Sequence, residues 1–161
     1  MSTVTGVVPD APPEVERPQG RRGGVAVLSA HGGSAATTVA DRLQVPELVD
    51  SESSDQLRLL VVTARTTVTG FDRLLACIAD LPVPVRVVVA ATADAPVRAP
   101  AGVRARAKTL QRSGREVAMV TLPYEPSWRY CPPTLQRTSK TYARQIAKLA
   151  AVINQHERTD A

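Results

Sequence analysis

Aromatic residues and cysteines are scarce in this chain of 161 residues. It holds one Phe, one Trp and three Tyr, so a buried core has to be built mainly from aliphatic side chains. Its two cysteines, Cys77 and Cys131, are far apart in sequence and lack the close spacing of a metal site. We expect both to be free thiols in a reducing cytoplasm. The two histidines, His31 and His156, form no Ser-His-Asp or Cys-His arrangement, which argues against nucleophilic catalysis.

Long hydrophobic runs are also missing. No stretch of about 18 apolar residues occurs, so no membrane-spanning segment is predicted. The polar N-terminal residues lack the apolar stretch of a secretory signal. We therefore expect a cytoplasmic protein that does not insert into a membrane. The length suits a single domain with one core, and no group of ligating side chains predicts a bound metal.

Acidic residues are rare in the second half of the chain. Residues 97–150 contain eleven Arg and Lys against only Glu116 and Glu125, a net charge of +9, whereas residues 1–96 contain eight Arg and eleven acids, a net charge of −3. Such a concentration of positive charge is typical of a surface that binds a polyanion such as DNA. The alternative is a solvated face in an arginine-rich protein. The candidate nucleic-acid residues are Arg98, Arg104, Arg106, Lys108, Arg112 and Arg115.

Short apolar runs alternate with helical patterns from residue 25 onward. The apolar runs span residues 25–30, 57–63, 85–91 and 116–122, and the helical segments span residues 34–43, 69–81, 100–113 and 133–155. Near-continuous apolar strands that alternate with helices are typical of a parallel sheet covered on both faces. The sequence therefore predicts an α/β fold, with a short parallel sheet of about four strands flanked by helices.

The organisation outside these elements is simple. Residues 1–23 are rich in proline and glycine and too polar to bury a core, so they predict a disordered arm. The α/β domain is expected over residues 24–156, with an acidic loop at residues 46–56 and a short tail at residues 157–161.

The segment at residues 25–40, VAVLSAHGGSAATTVA, has the layout of a strand, a glycine turn and the start of a helix. This is the layout of a Walker A loop, G-x-x-x-x-G-K-[ST], whose backbone N–H groups hold phosphates and whose lysine reaches the β- and γ-phosphates. Gly32 and Gly33 retain the turn, and Thr37 and Thr38 retain the hydroxyls. Ala36 stands where the lysine is expected.

The loop HGGSAATT at residues 31–38 resembles that of the MinD/ParA group of P-loop ATPases, K-G-G-x-G-K-[ST]-[ST]. The segment VTLPYEP at residues 120–126 is similar to the IPYDP that follows a late strand in the same group. The loop also resembles that of an actinobacterial family with the pattern SAHGGxGxST, which is often associated with conjugative-element genes. The resemblance implies a P-loop NTPase-like fold with the loop at the carboxyl edge of the sheet, where such folds bind ligands.

The departures from that family fall on its charged residues. His31 replaces the first lysine of the loop, Ala35 replaces its third glycine, and Ala36 replaces its phosphate-binding lysine. No predicted strand ends in the aspartate that would position Mg²⁺, and the strand at residues 57–63 ends in Thr63. A charged hydrogen bond contributes about 1.5–3 kcal/mol, so the missing lysine alone costs roughly ten- to hundredfold in nucleotide affinity. We expect no ATPase activity and no required cofactor, with ATP and Mg²⁺ bound at most weakly.

Two groups of residues are candidate binding sites. An anion or nucleotide could be held at the carboxyl edge of the sheet by His31, Gly32, Gly33, Ser34, Thr37, Thr38, Arg65 and Asp94. Alternatively, the glycines only shape the turn and the hydroxyls only bond to local backbone. A second group has the composition of a protein-binding hot spot, namely Tyr124, Trp128, Arg129 and Tyr130. The alternative is that these side chains cap the core beneath a loop.

Three functions agree with these patterns. The first is a non-catalytic, P-loop-like binding or scaffolding protein with a protein partner, and the resemblance implies a setting in partitioning or conjugative transfer of a mobile element or phage. The second is a switch that binds nucleotide weakly without the lysine and forms a homodimer. The third is a DNA-associated accessory protein that uses its basic half, because ParA-like proteins bind DNA non-specifically.

Overall fold

The computed structural model describes residues 24–50, 57–129 and 137–158. The predicted arm at residues 1–23 lies outside these residues, as do most of the predicted acidic loop and the last three residues of the predicted tail. Within the described part, Cys77 is a free thiol, and burial raises its pKa. Cys131 lies outside it.

The described residues form a parallel sheet with helices on both faces. The strands are β1 (Val25–Ser29), β2 (Glu47–Leu48), β3 (Leu59–Arg65), β4 (Arg86–Thr92) and β5 (Val117–Leu122). The helices are α1 (Ala36–Leu43), α2 (Val68–Asp80), α3 (Ala101–Gln111) and α4 (Lys140–Arg158), and a short 3₁₀ helix spans Pro126–Arg129. The strand order is β2-β1-β3-β4-β5, and every neighbouring pair is parallel.

The α/β architecture with a parallel sheet is confirmed, but the expectation of four strands is wrong. The additional strand is β2, which lies inside the segment predicted to be an acidic loop. It pairs with β1 through Val27 and Leu28, and the N–H of Val27 donates to the carbonyl of Pro46 at 2.9 Å. A strand of two residues is too short to produce an apolar run or an alternating pattern.

The two faces of the sheet carry separate apolar layers. Successive strand residues point to opposite faces, so Val25 and Val27 belong to the layer beneath α1 and α4, whereas Ala26 and Leu28 belong to the layer beneath α2 and α3. All four of these side chains are buried. Because both faces are covered, the central strands are apolar at nearly every position, which is the pattern seen in the sequence.

The start of α4 differs from the prediction. The helix begins at Lys140 rather than near residue 133, and residues 130–136 lie outside the described part. The hydroxyl oxygen of Ser139 accepts from the N–H of Tyr142 at 3.0 Å, and the N–H of Ser139 donates to the carboxylate of Glu125 at 3.2 Å. Ser139 therefore acts as the N-cap and fixes where the helix begins.

Arg115 caps the carboxyl end of α2. Its guanidinium donates to the carbonyls of Ile78, Leu81 and Pro82 at 2.9, 3.0 and 2.6 Å. The last carbonyls of a helix have no partner within the helix and carry partial negative charge, so a cation is favourable there. Arg115 thus joins the segment before β5 to the end of α2.

We expect Arg115→Ala to lower the free energy of unfolding by about 2–3 kcal/mol, because hydrogen bonds from a charged group to half-buried carbonyls are lost. The matched control is Arg112→Ala, since Arg112 is exposed and its side chain has no hydrogen bond among the described residues. That change should stay within about 0.5 kcal/mol. Urea unfolding of both variants measures the difference, and equal effects would contradict the capping role.

Candidate functional site

The glycine loop lies between β1 and α1, at the carboxyl edge of the sheet. Gly33 has φ 76° and Ala35 has φ 69°, so both adopt the left-handed conformation. Ala35 stands at the position of the family's third glycine and keeps a glycine-like backbone at a steric cost. It is also the N-cap of α1, where no side chain caps the helix. The path of a glycine-rich loop is therefore retained without one of its glycines.

A network of hydroxyl groups fixes the loop to the strands beneath it. Ser34 is 1% exposed, and its hydroxyl lies 2.7 Å from that of Ser29 and 2.6 Å from that of Thr63. The hydroxyl of Thr92 donates to the carbonyl of Ser34 at 3.3 Å. Ser34 was predicted to help bind an anion, but the structure directs its side chain into the protein, toward the ends of β1 and β3.

His31 is hydrogen-bonded through both ring nitrogens. Its Nε2 accepts from the backbone N–H of Arg65 at 3.1 Å, and its Nδ1 lies 3.0 Å from the carbonyl oxygen of Gly32. A ring nitrogen that accepts carries no proton, so this pattern assigns the neutral tautomer with the proton on Nδ1. In this arrangement the ring links the loop to β3 and does not supply the cation that the missing lysine would provide.

Arg65 and Asp94, predicted separately as anion-site residues, are bonded to each other. The guanidinium of Arg65 donates through Nε to the carbonyl of Gly33 at 2.6 Å and through NH1 to the carboxylate of Asp94 at 2.9 Å. The side chains are 41% and 39% exposed. The N–H of Asp94 also donates to the hydroxyl of Thr66 at 3.1 Å. A single cation therefore joins the glycine loop, the end of β3 and the segment after β4.

The remaining candidates are Gly32 in the loop and two threonines on the first turn of α1. Thr37 is exposed and Thr38 half-buried, and neither hydroxyl has a hydrogen bond among the described residues. Gly32 is exposed, with open space where a Cβ would stand. Ala36 is buried at 5% exposure against the layer beneath α1 and α4. The position of the phosphate-binding lysine is thus occupied by a small core residue.

Gly70 lets the first turn of α2 approach this edge closely. A Cβ at Gly70 would lie 2.5 Å from the carbonyl oxygen of Arg65, 2.8 Å from the hydroxyl of Thr67 and 3.0 Å from Nε2 of His31. The backbone N–H of Gly70 donates to the hydroxyl of Thr67, which caps the helix. Sequence analysis did not single out this glycine; the available signal was a glycine inside a predicted helix, which is unfavourable there unless packing requires it.

We expect Gly70→Ala to destabilise the fold by about 1–3 kcal/mol, since the added methyl group overlaps a backbone carbonyl. An alanine at an exposed helical position would instead stabilise by about 1 kcal/mol, so the sign of the change is informative. Gly32→Ala is the control, because nothing lies within 4 Å of the point where its Cβ would stand. Thermal unfolding of the two variants tests the packing, and a stabilised Gly70→Ala variant would contradict it.

The predicted hot spot after β5 is partly built into the core. The rings of Trp128 and Tyr142 meet edge to face, with centroids 4.7 Å apart and planes at 65°. Trp128 is half-buried and packs against the layer beneath α1 and α4. Tyr124 is also half-buried, whereas Tyr130 and the side chain of Arg129 lie outside the described part. The hot-spot role stays a prediction, and the geometry of Trp128 agrees with the alternative of a cap on the core.

Each of these two side chains carries a buried polar atom. Trp128 Nε1 and the hydroxyl of Tyr142 are buried and have no hydrogen-bond partner among the described residues. Burial raises the pKa of Tyr142 well above its ordinary value; Arg42 lowers it by a smaller amount and Glu125 raises it. The hydroxyl therefore keeps its proton to a higher pH than an exposed tyrosine would.

We expect Tyr142→Phe to raise the free energy of unfolding by about 1 kcal/mol at neutral pH, because a buried hydroxyl without a partner is removed. Above about pH 10 an unfolded tyrosine ionises while the folded Tyr142 keeps its proton. Wild-type stability should then fall with rising pH, and the advantage of Tyr142→Phe should grow by about 1.4 kcal/mol per pH unit. Urea unfolding at neutral and alkaline pH measures this difference; a variant less stable than wild type would show that the hydroxyl has a partner.

The six candidate nucleic-acid residues do not form one free surface. Arg106 is bonded through two nitrogens to the carboxylate of Asp72 on α2. Arg115 caps α2 as described, and Arg104 donates to the carbonyl of Ala99 at 2.7 Å. Arg98, Lys108 and Arg112 are exposed and have no side-chain hydrogen bond or ion pair among the described residues. Asp72 is 34 residues from Arg106, so this pairing could not be seen from neighbouring sequence.

In comparisons with protein-family models and with curated proteins, no match to this chain was found. No helix of the described residues is long and apolar enough to cross a membrane. The described residues also contain no group of three or more His, Cys, Asp or Glu side chains that could hold a metal ion.

Proposed function

We propose that this chain is a non-catalytic binding protein in which the P-loop-like segment has become a structural element. The observation that carries the proposal is a pair of hydrogen bonds from Arg65. Its guanidinium donates to both the Gly33 carbonyl and the Asp94 carboxylate. In a phosphate-binding loop the backbone N–H groups face the ligand and a free cation stands beside them. Here the nearest cation binds a loop carbonyl and an acid of the same chain.

The charge balance at the loop supports this function. His31 has the neutral tautomer, Ala36 carries no charge, and the charge of Arg65 is matched by that of Asp94. Phosphoryl transfer depends almost entirely on positioning and on stabilising negative charge. Among the described residues, the loop offers no uncompensated cation to a triphosphate, so we expect neither tight nucleotide binding nor hydrolysis.

The mode of action we propose is protein binding or scaffolding in the cytoplasm, in keeping with the resemblance to MinD/ParA-like proteins. Partitioning or conjugative transfer of a mobile element or phage is the setting that the resemblance implies. A nucleotide-dependent switch is less well supported, since Ser34, His31 and Arg65 are all occupied by intramolecular hydrogen bonds.

Non-specific DNA binding is a second candidate, favoured by two rows of exposed cations. Arg104 and Lys108 on α3 and Arg112 at its C-cap follow one another at four-residue intervals, and Lys140, Arg144 and Lys148 do so on α4. Four-residue spacing places side chains on one side of a helix. The α3 row replaces the predicted set as the surface to test, because Arg106 and Arg115 are engaged within the protein. A DNA titration at several salt concentrations distinguishes DNA binding from protein binding alone, since the affinity for DNA phosphates falls steeply with salt.

We expect the purified chain to show no ATP or GTP hydrolysis above background and no saturable heat with Mg·ATP in isothermal titration calorimetry. The physical reason is that the loop region, as far as the structure describes it, has no uncompensated cation. Gly33→Val is the control, because a β-branched residue cannot easily adopt φ 76° and would distort any nucleotide site. Turnover that persists through purification and disappears in Gly33→Val would refute the non-catalytic function.

A further inference from the structure

Strand β5 forms one edge of the described sheet, and its outer backbone groups have no partner in the part of the chain that the structure describes. The carbonyl of Leu122 accepts from the N–H of Ala93 on the β4 side at 2.9 Å. Because backbone groups alternate in direction along a strand, the N–H and C=O groups of Val117, Met119 and Thr121 point away from β4. None of these outward groups has a hydrogen bond among the described residues.

Within residues 24–50, 57–129 and 137–158, this edge lacks the usual protection against pairing with another strand. Natural edge strands are shortened, charged, interrupted by proline or bulged. The opposite edge follows that rule, because β2 has two residues and begins with Glu47. In contrast, β5 has six residues, VAMVTL, with no charge, no proline and an uninterrupted register to β4.

Helix α3 places positive charge beside the same edge. Its inner side faces α2, since Arg106 bonds to Asp72 and a Cβ at Gly102 would lie 3.2 Å from Val68. Residues two apart on a helix are separated by about 200°, so Arg104 and Lys108 lie on the side opposite to Arg106. That side faces outward past β5, because α2 follows β3 and α3 follows β4 in the sheet order.

We propose that β5 binds an extended, acidic segment of a partner protein, which adds to the sheet as a sixth strand beneath Arg104 and Lys108. The outward backbone groups of Val117, Met119 and Thr121 supply the main-chain hydrogen bonds, which give affinity in this mode of recognition. Both cations are exposed and lack an acidic partner among the described residues, so they favour aspartate and glutamate on the added strand.

A second copy of this chain is disfavoured as the occupant by the same charges. Antiparallel pairing of two β5 strands about a twofold axis places the two α3 helices on the same face of the joined sheet. Their outer sides, each with Arg104 and Lys108, would then face each other, and like charges repel. An acidic strand removes that repulsion.

The inference rests on the proposed binding function and names the chemistry of its partner. The two claims can fail independently. Nucleotide turnover would refute the non-catalytic function but would not bear on strand binding at β5. Conversely, failure of β5 to bind an acidic strand would refute this inference but would not bear on the role of the glycine loop.

The experiment selects binders of the full chain from a random library of displayed peptides of about twelve residues, twice the length of a typical strand. Fluorescence anisotropy then gives the affinity of the enriched peptides for wild type and variants. Thr121→Pro removes one outward N–H without touching the β4 ladder, and proline is tolerated at such edge positions. Thr121→Ala is its matched control, since it keeps the N–H and changes only an exposed side chain.

We expect enriched peptides to be acidic and rich in β-branched residues, and to lose about tenfold or more in affinity for Thr121→Pro but not for Thr121→Ala. A double change of Arg104 and Lys108 to Ala should weaken binding and reduce its salt dependence, whereas the same change of Arg144 and Lys148 on α4 should not. If Thr121→Pro does not fold, hydrogen exchange in wild type replaces it. The bound peptide should then protect the amides of Val117, Met119 and Thr121.

The proposal is overturned if no peptide is enriched, or if the enriched peptides are neutral or basic. It is also overturned if binding is unchanged in a folded Thr121→Pro variant, or if the three amides gain no protection. Sedimentation equilibrium tests the other occupant: a wild-type dimer that dissociates on Thr121→Pro would show that β5 pairs with a second copy instead.

Discussion

The guanidinium of Arg65 holds together the carboxyl edge of this sheet. The guanidinium donates to the Gly33 carbonyl in the β1–α1 loop and to the Asp94 carboxylate after β4. The backbone N–H of Arg65 donates to the ring of His31. Three segments that are distant in sequence are thereby fixed relative to one another. The buried hydroxyl of Ser34 adds bonds to the strands below. Polar groups that would face a ligand in a phosphate site are satisfied here within the chain.

This arrangement moves the candidate binding surfaces away from the loop. Two arginines of the basic half also bind groups within the protein, since Arg106 pairs with Asp72 and Arg115 caps α2. The groups without partners among the described residues are elsewhere: the outward backbone of β5, and the exposed cations of α3 and α4. A protein that keeps its glycine loop for structure and uses a sheet edge for recognition is consistent with all of these observations.

The sequence allows the parallel sheet to be predicted, because strands covered on both faces must be apolar at almost every position. It does not reveal β2, whose two residues give no periodic signal, nor the start of α4, which depends on Glu125 reaching Ser139 across 14 residues. Strand-end positions place Arg65 and Asp94 at one edge, but whether they bind a ligand or each other depends on side-chain geometry. The contact between Arg65 and Asp94 joins residues 29 apart in sequence, so a local sequence pattern does not predict it.

The stability of Arg65→Met in the absence of any ligand tests the structural role of the loop most directly. If Arg65 serves the fold, the variant should lose about 1–2 kcal/mol in urea unfolding, a modest value because the ion pair is partly exposed. Arg73→Met is the control, since Arg73 is exposed on α2 and has no hydrogen bond among the described residues. Residues kept for ligand binding often cost stability. An Arg65→Met variant as stable as wild type, or more stable, would contradict the structural account.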